Sequence, residues 1–165
     1  MNESNRTGKY LQDLIKESAA ELNLGCERFK DAGFVGDKSE QRRFTSKNVA
    51  DFIVYGPETG LAFIEAKNRD SSLTFADITQ EKDLLKKHEQ HQERAITQAS
   101  CGVLVLFRNK NKAFWVPIQN LSILKEKTNK KSFNAADVVA HQCGWEIPFF
   151  TPKGKRKPHL DLTHL

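Results

Sequence analysis

The stretch LAFIEAKNRD, residues 61–70, places a glutamate and a lysine two positions apart near the end of an apolar run. Successive side chains of a strand point to opposite faces, so Glu65 and Lys67 share the face of Leu61 and Phe63. An isolated Glu-x-Lys pair is more often a surface ion pair. On a strand that enters a core, however, a carboxylate beside an ammonium group is a candidate catalytic pair.

A second carboxylate is predicted opposite Glu65. The apolar runs VADFIVYG (49–56) and GLAFIEAK (60–67) flank a short Pro-Glu-Thr segment, which predicts a β-hairpin. When Gly56 pairs with Gly60, Asp51 lies opposite Glu65, with Cβ atoms about 4.5 to 5.5 Å apart on one face. Like charges at that separation destabilise a sheet unless a cation lies between them.

The cation that suits this place is Mg²⁺, for which Mn²⁺ can substitute. Mg²⁺ prefers oxygen ligands and usually takes one or two carboxylates, with waters and phosphate oxygens completing the octahedron. We therefore predict Asp51, Glu65 and the carbonyl oxygen of Ala66 as ligands. Such an ion lowers the pKa of an attacking water and neutralises charge on a phosphate, while Lys67 orients the water or stabilises the transition state. The predicted chemistry is phosphodiester hydrolysis.

Hydrophobic patterning predicts the elements that position these residues. In chain order they are a helix over 7–25 capped by Gly25, an ambiguous stretch from 26 with room for a short edge strand, a basic loop over 36–48, the hairpin, a helix over 77–99, a buried strand GVLVLF (102–107), its hairpin partner AFWVPI (113–118), a helix over 134–143 and a basic tail. This order predicts an α/β fold, a mixed β-sheet flanked by helices. Trp115 and Trp145 are expected in the core.

Length and composition are those of one globular domain. The 165 residues are 38% hydrophobic and 28% charged, and we expect a single domain over residues 7–165 after a disordered segment of residues 1–6. The three cysteines are too scattered for a disulfide framework or a zinc site, and His88 and His91 have no third ligand at suitable spacing. We expect reduced thiols and, with no signal peptide or membrane span in the pattern, a cytoplasmic protein.

The charge predicts a polyanionic partner. The formal net charge is +5 and the sequence pI is about 9.1. Basic residues cluster before the first strand of the hairpin and near the C-terminus, and we predict DNA contacts by Lys38, Arg42, Arg43, Lys47, Lys155, Arg156 and Lys157. Lysine runs are also common on solvated surfaces that bind nothing, and the composition alone does not separate the two.

Taken together, these residues resemble the PD-(D/E)xK nuclease superfamily, which has the restriction-endonuclease-like fold, and within it the RecU-type Holliday junction resolvases. The similarity extends over about residues 7–162. It rests on Gly8-Lys9, Asp51-Phe52, Glu65-Ala66-Lys67, His91-Gln92, the GVLVLF strand and Pro158-His159-Leu160-Asp161. The resemblance implies a catalytic contact of Gln92 with water or phosphate. A solvated helical glutamine is the equally weighted alternative.

Two positions depart from the family pattern. Gln12 stands where the family tends to carry a glutamate on the first helix, with Asp13 and Glu17 nearby, and the family's protruding stalk is shortened here to residues 36–48. The resemblance implies a Mg²⁺-dependent endonuclease that resolves four-way DNA junctions in recombination or repair. A homodimer would supply the two active sites that symmetric cutting needs. The alternatives are a sequence-specific or nicking endonuclease of the same superfamily, and a non-catalytic DNA-binding protein of the same fold.

Overall fold

The computed structural model describes residues 3–29, 48–96 and 98–165, with side chains from residue 8 onward. The helices and strands are α1 (Glu3–Glu21), β1 (Gly25–Arg28), β2 (Phe52–Gly56), β3 (Gly60–Arg69), β4 (Leu73–Thr74), α2 (Glu81–Glu93), β5 (Ala99–Phe107), β6 (Lys112–Pro117), α3 (Ile118–Thr128), β7 (Ser132–Phe133), α4 (Ala135–Ala140), β8 (Trp145–Ile147), β9 (Phe149–Phe150) and β10 (His159–Leu160). Short 3-10 helices span Phe75–Asp77, Arg108–Lys110 and Leu162–His164. No helix within these ranges is long and apolar enough to cross a membrane.

One mixed sheet organises the fold. Its strands lie in the order β1-β2-β3-β5-β6-β8, and β3 and β5 are parallel neighbours at its centre. The other neighbouring pairs are antiparallel. A parallel pair needs a crossover connection, and the segment containing α2 supplies it. Two small two-stranded sheets, β4–β7 and β9–β10, accompany the main sheet.

Helices cover both faces of the sheet, and alternation along the strands divides the core in two. Along β5, Val103 and Val105 pack with residues of α2, α3 and α4, whereas Leu104 and Leu106 pack with residues of α1 and the C-terminal segment. We call these the α2–α3 face and the α1 face. The GVLVLF run is buried throughout, as expected for a central strand covered on both faces.

The hairpin has the predicted register. Gly56 pairs with Gly60, and Phe52 pairs with Ile64. β2 begins at Phe52 rather than at residue 49, so Asp51 lies directly before the strand. Its backbone N–H still donates to the Ile64 carbonyl at 2.9 Å, which keeps Asp51 against β3. The predicted edge strand is also present as β1.

Helix ends differ from the sequence-based expectations. Asn23, with φ of 55°, takes the left-handed conformation after α1, and Gly25 already belongs to β1. The helix predicted over 77–99 is shorter, because a 3-10 turn precedes it and Ala95, with φ of 54°, follows its end. α1 begins at Glu3, inside the segment predicted to be disordered.

Two further predictions were incomplete or wrong. The helix α3 was not predicted, although its buried residues Ile118, Leu121 and Leu124 follow helical spacing. Trp115 is fully buried, but Trp145 is 44% exposed. Trp145 lies on the edge strand β8, where its indole N–H donates to the His164 carbonyl at 2.7 Å instead of entering the core.

The close pairing of β5 with β6 gives a stability prediction. A Cβ added to Gly102 would lie 2.5 Å from the Val116 carbonyl oxygen and 2.7 Å from the Trp115 ring. Gly102→Ala should therefore destabilise the fold by about 1 to 3 kcal/mol, the usual range for overpacking. Urea unfolding measures the change.

Gly8→Ala is the matched control, since a Cβ on this α1 residue meets nothing within 4 Å. A helical glycine replaced by alanine stabilises by about 0.5 to 1 kcal/mol, so the two identical substitutions should have opposite signs. Equal stabilities of the two variants would contradict the packing of β5 on β6.

Candidate active site

Glu65 is fully buried on the α2–α3 face of β3. It follows Phe63 on that face and precedes Lys67, as strand alternation requires. The Lys67 ammonium lies 2.8 Å from Oε1 of Glu65, and the Lys67 side chain is 17% exposed. This contact is a close ion pair, and each carboxylate oxygen has about two lone-pair sites. Oε1 therefore keeps a lone pair for another ligand.

Asp51 is joined to β3 by its side chain as well as its main chain. Its Oδ2 accepts a hydrogen bond of 2.9 Å from the Ala66 backbone N–H, directly between Glu65 and Lys67. Its carbonyl accepts from the Phe29 N–H at 3.0 Å. The hairpin register and these bonds bring Asp51, Glu65, Ala66 and Lys67 together, as predicted.

The start of α2 supplies a further contact. The backbone N–H of Gln80 donates to Oε2 of Glu65 at 3.3 Å, so the positive end of the helix faces the buried carboxylate. The Gln80 side chain is 9% exposed, and its Oε1 accepts no hydrogen bond from the described part of the chain. The sequence did not reveal Gln80, because the helix was predicted from residue 77 and Gln80 would then lie inside it. The acidic pair Glu81 and Asp83 in the first turn was the available signal for the true start.

A polar cluster fixes the chain between β3 and α2. Arg69 donates to Oδ2 of Asp77 at 3.1 Å and to the Asn68 carbonyl at 3.0 Å. The Thr74 hydroxyl donates to the same Asp77 oxygen at 2.8 Å. The hydrogen bond from Thr74 and the contact with Arg69 hold the pKa of Asp77 below its usual value. These contacts set the position from which α2 approaches Glu65.

Burial raises the pKa of the Glu65 carboxyl above its usual value, and the charge of Asp51 acts in the same direction. Lys67 and the Gln80 N–H oppose this rise by stabilising the ionised form. Glu65 is therefore a carboxylate that needs positive charge nearby, and the Asp51 charge strengthens that need.

The donor set fits a hard divalent cation. Two carboxylates and a backbone carbonyl are oxygen ligands of the kind that Mg²⁺ and Mn²⁺ prefer, and Oε1 of Glu65 contacts only Lys67 among the described residues. Within residues 3–29, 48–96 and 98–165, no three His, Cys, Asp or Glu side chains gather as a metal site. These residues therefore supply no third acidic ligand. Gln12, at the position where the resembled family tends to carry a glutamate, has no carboxylate.

Gln92 lies apart from this group. It is exposed in the last turn of α2, twelve residues after Gln80, which corresponds to about 18 Å along a helix. Neighbouring His91 is buried against the Phe63 ring, with 5.4 Å between ring centroids, and its Nδ1 lies 4.0 Å from Sγ of Cys101. The structure thus brings Gln80, not Gln92, to the carboxylates, and a catalytic role of Gln92 stays a prediction without a contact to support it.

The predicted DNA contacts fall into two groups. Lys38, Arg42, Arg43 and Lys47 lie outside the described residues. In the tail, Lys155 forms an ion pair with Glu21, and Lys157 forms one of 2.7 Å with Glu17, both acids belonging to α1. These pairs line a cleft on the α1 face, away from Asp51 and Glu65. Arg156 is exposed. In the Pro158-x-x-Asp161 element, Asp161 accepts from the Thr163 N–H and caps the last 3-10 helix.

The buried ion pair gives a test by double mutation. Lys67→Met leaves Glu65 buried without its cation and should destabilise the fold by about 3 kcal/mol, the low end for a broken buried pair because Lys67 is partly exposed. Glu65→Gln together with Lys67→Met removes both charges and should restore much of that loss. Thermal or urea unfolding of the four proteins measures the coupling. Additive effects of the two single changes would contradict the pairing.

Comparisons with known proteins identify the architecture of the chain. No protein-family model and no curated protein sequence matches the chain. The structure is similar to that of Hjc from Archaeoglobus fulgidus, a Holliday junction resolvase from an archaeal hyperthermophile, with a TM-score of 0.54 and 18% sequence identity. The alignment covers 84% of this chain and 95% of that chain. The likeness confirms the predicted restriction-endonuclease-like fold, a mixed sheet flanked by helices, and does not favour the RecU type in particular.

Proposed function

We propose that the chain is a divalent-metal-dependent endonuclease that cuts DNA at four-way junctions, in recombination or repair. The observation that carries the proposal is the fully buried Glu65, paired with Lys67 and facing the negative charge of Asp51. Glu65 and Lys67 lie on the central strand β3, and Asp51 lies directly before the neighbouring β2, in a fold shared with a Holliday junction resolvase. The assignment to the RecU type rests on the sequence motifs alone.

Asp51, Glu65 and the Ala66 carbonyl would hold Mg²⁺ or Mn²⁺. The ion would supply charge neutralisation at the phosphate and a more acidic bound water. Lys67 stays beside Glu65, where its remaining N–H groups can donate to a phosphate oxygen on which negative charge develops. The Gln80 N–H orients Glu65. The amide oxygen of Gln80, which accepts no hydrogen bond from the described residues, can accept one from a water at the site.

The substrate class is branched DNA, and the active form is a homodimer. Symmetric cutting of a junction needs two active sites in a fixed relation, which a twofold dimer of this chain would provide. The basic composition favours a polyanionic partner. The short segment over 36–48, with its four cationic residues, would contact phosphates near the branch point.

The first test is cleavage. Purified protein with Mg²⁺ should cut a four-way junction, and Asp51→Asn or Glu65→Gln should abolish cutting because each removes one of the two carboxylates proposed as metal ligands. Both variants should keep most of their DNA affinity, since neither changes a basic residue. A gel assay of product formation and a fluorescence binding assay measure the two properties on the same substrates.

Glu89→Gln is the control for site membership, since it removes an exposed carboxylate of α2, and it should cleave at close to the wild-type rate. Full activity in Asp51→Asn or Glu65→Gln would overturn the assignment of the site. If the wild-type protein binds DNA but does not cleave it with either Mg²⁺ or Mn²⁺, the non-catalytic DNA-binding alternative is favoured.

The second test concerns selectivity. The protein should prefer four-way junctions to linear duplex by a modest margin, because the family's projecting stalk is short in this chain. Arg42→Ala with Arg43→Ala should weaken junction binding more than duplex binding. Competition of unlabelled junction and duplex against a labelled junction measures both effects. Equal competition by the two DNAs, or equal losses in the double variant, would favour a sequence-specific or nicking endonuclease.

A further inference from the structure

Four lysines that the proposed function leaves unassigned lie together where α3 meets β7. Lys125 and Lys127 are in the last turn of α3, and Lys130 and Lys131 follow before β7. All four side chains are exposed, and Glu126 is the one acid among residues 125–131. We call them the α3–β7 lysines.

Hydrogen bonds connect this segment to the end of the sheet that carries the carboxylates. The Lys131 carbonyl accepts from the Phe75 N–H at 3.1 Å, and Ser132 pairs with Thr74 in the β4–β7 sheet. Phe75 begins the 3-10 helix that leads to Gln80, whose N–H donates to Glu65. The α3–β7 lysines therefore lie beside the chain segment that forms one wall of the site.

The α3–β7 lysines also lie on the same face of the sheet as the candidate active site. Glu65 and Lys67 point to the α2–α3 face, and α3 packs on that same face through Leu121 and Leu124. The tail lysines Lys155 and Lys157, in contrast, pair with acids of α1 on the opposite face.

The charges of the α3–β7 lysines are largely available. Lys130 pairs with Asp137 at 2.9 Å. Lys127 donates to the backbone carbonyl of His141 at 3.4 Å, a contact that leaves its charge uncompensated. Neither Lys125 nor Lys131 has an acidic partner in the part of the chain that the structure describes. An exposed group of lysines with so little internal compensation is complementary to a row of phosphates.

We propose that the α3–β7 lysines bind the phosphate backbone of the DNA whose scissile phosphate lies at Asp51 and Glu65. The proposal rests on the proposed function and adds a surface to it. The surface contacts phosphates and not bases, so it contributes affinity and orientation to any sequence.

The salt dependence of binding tests the surface. Each lysine that contacts a phosphate contributes about 1 to the slope of log affinity against log salt, because it displaces condensed counterions. Lys125→Gln with Lys131→Gln should therefore reduce the magnitude of this negative slope by about 2. It should weaken junction and duplex binding alike. Binding is measured by fluorescence anisotropy over a salt series on a labelled four-way junction, with divalent metal chelated so that no cleavage occurs.

Lys9→Gln with Lys16→Gln is the matched control, since both lysines are exposed on α1, on the opposite face, and the change in net charge is the same. The control should keep the wild-type slope. An unchanged slope in the Lys125 and Lys131 variant, or equal changes in both variants, would overturn the surface. Cleavage with Mg²⁺ is measured separately. If the wild-type protein cleaves and the Lys125 and Lys131 variant keeps the wild-type slope, only this inference is overturned. If the wild-type protein never cleaves but the Lys125 and Lys131 variant still loses about 2 from its slope, only the nuclease proposal is overturned.

Discussion

Ionised Glu65 in the interior is the constraint that the rest of the structure satisfies. A buried carboxylate without partners is strongly unfavourable, so each of its oxygens needs a positive or donating neighbour. Lys67 comes from the same strand, two residues on, and requires nothing but strand alternation. The Gln80 N–H comes from the start of α2 and requires the crossover to deliver that helix end to β3. The contacts of Asp77 with Arg69 and Thr74 set that delivery, so the local geometry from β3 to α2 depends on one charge.

A buried ion pair is a poor device for stability alone. Apolar residues of similar volume often serve a fold as well or better, and the neighbouring positions of β3 show that this core accepts them, since Phe63 and Ile64 are both buried. The arrangement adds a further unfavourable element in Asp51, whose charge acts against the ionisation of Glu65. Two carboxylates held against mutual repulsion are reasonable where a cation is to be bound. This is the physical reason to interpret the cluster as functional.

The register of the hairpin was predictable because it needs only local information. A short turn fixes Gly56 against Gly60, and every further pair, including the position of Asp51 beside Glu65, follows by counting. The parallel pairing of β3 with β5 joins residues nearly forty apart, and no local pattern specifies it. The role of Gln80 depends on that pairing and on the true start of α2, so it was not found. The sequence pattern does not predict α3 for a different reason. The apolar run AFWVPI predicts a strand through Ile118, and Leu121 and Leu124 alone are too few to indicate a helix.

The basic residues show why composition cannot locate a binding surface. A net charge of +5 predicts a polyanionic partner, but long-range attraction depends on where charge remains uncompensated. Lys155 and Lys157 form the densest run in the sequence, yet the fold places them against Glu21 and Glu17 of α1, where they join the tail to that helix. Those carboxylates offset much of the positive charge of the two lysines, so the tail attracts a phosphate less strongly than its sequence predicts. Lysines near the end of α3 form a less obvious run, and the same fold leaves most of their charge facing solvent on the layer that carries Glu65. Tertiary pairing, and not sequence density alone, therefore determines where uncompensated positive charge faces a phosphate.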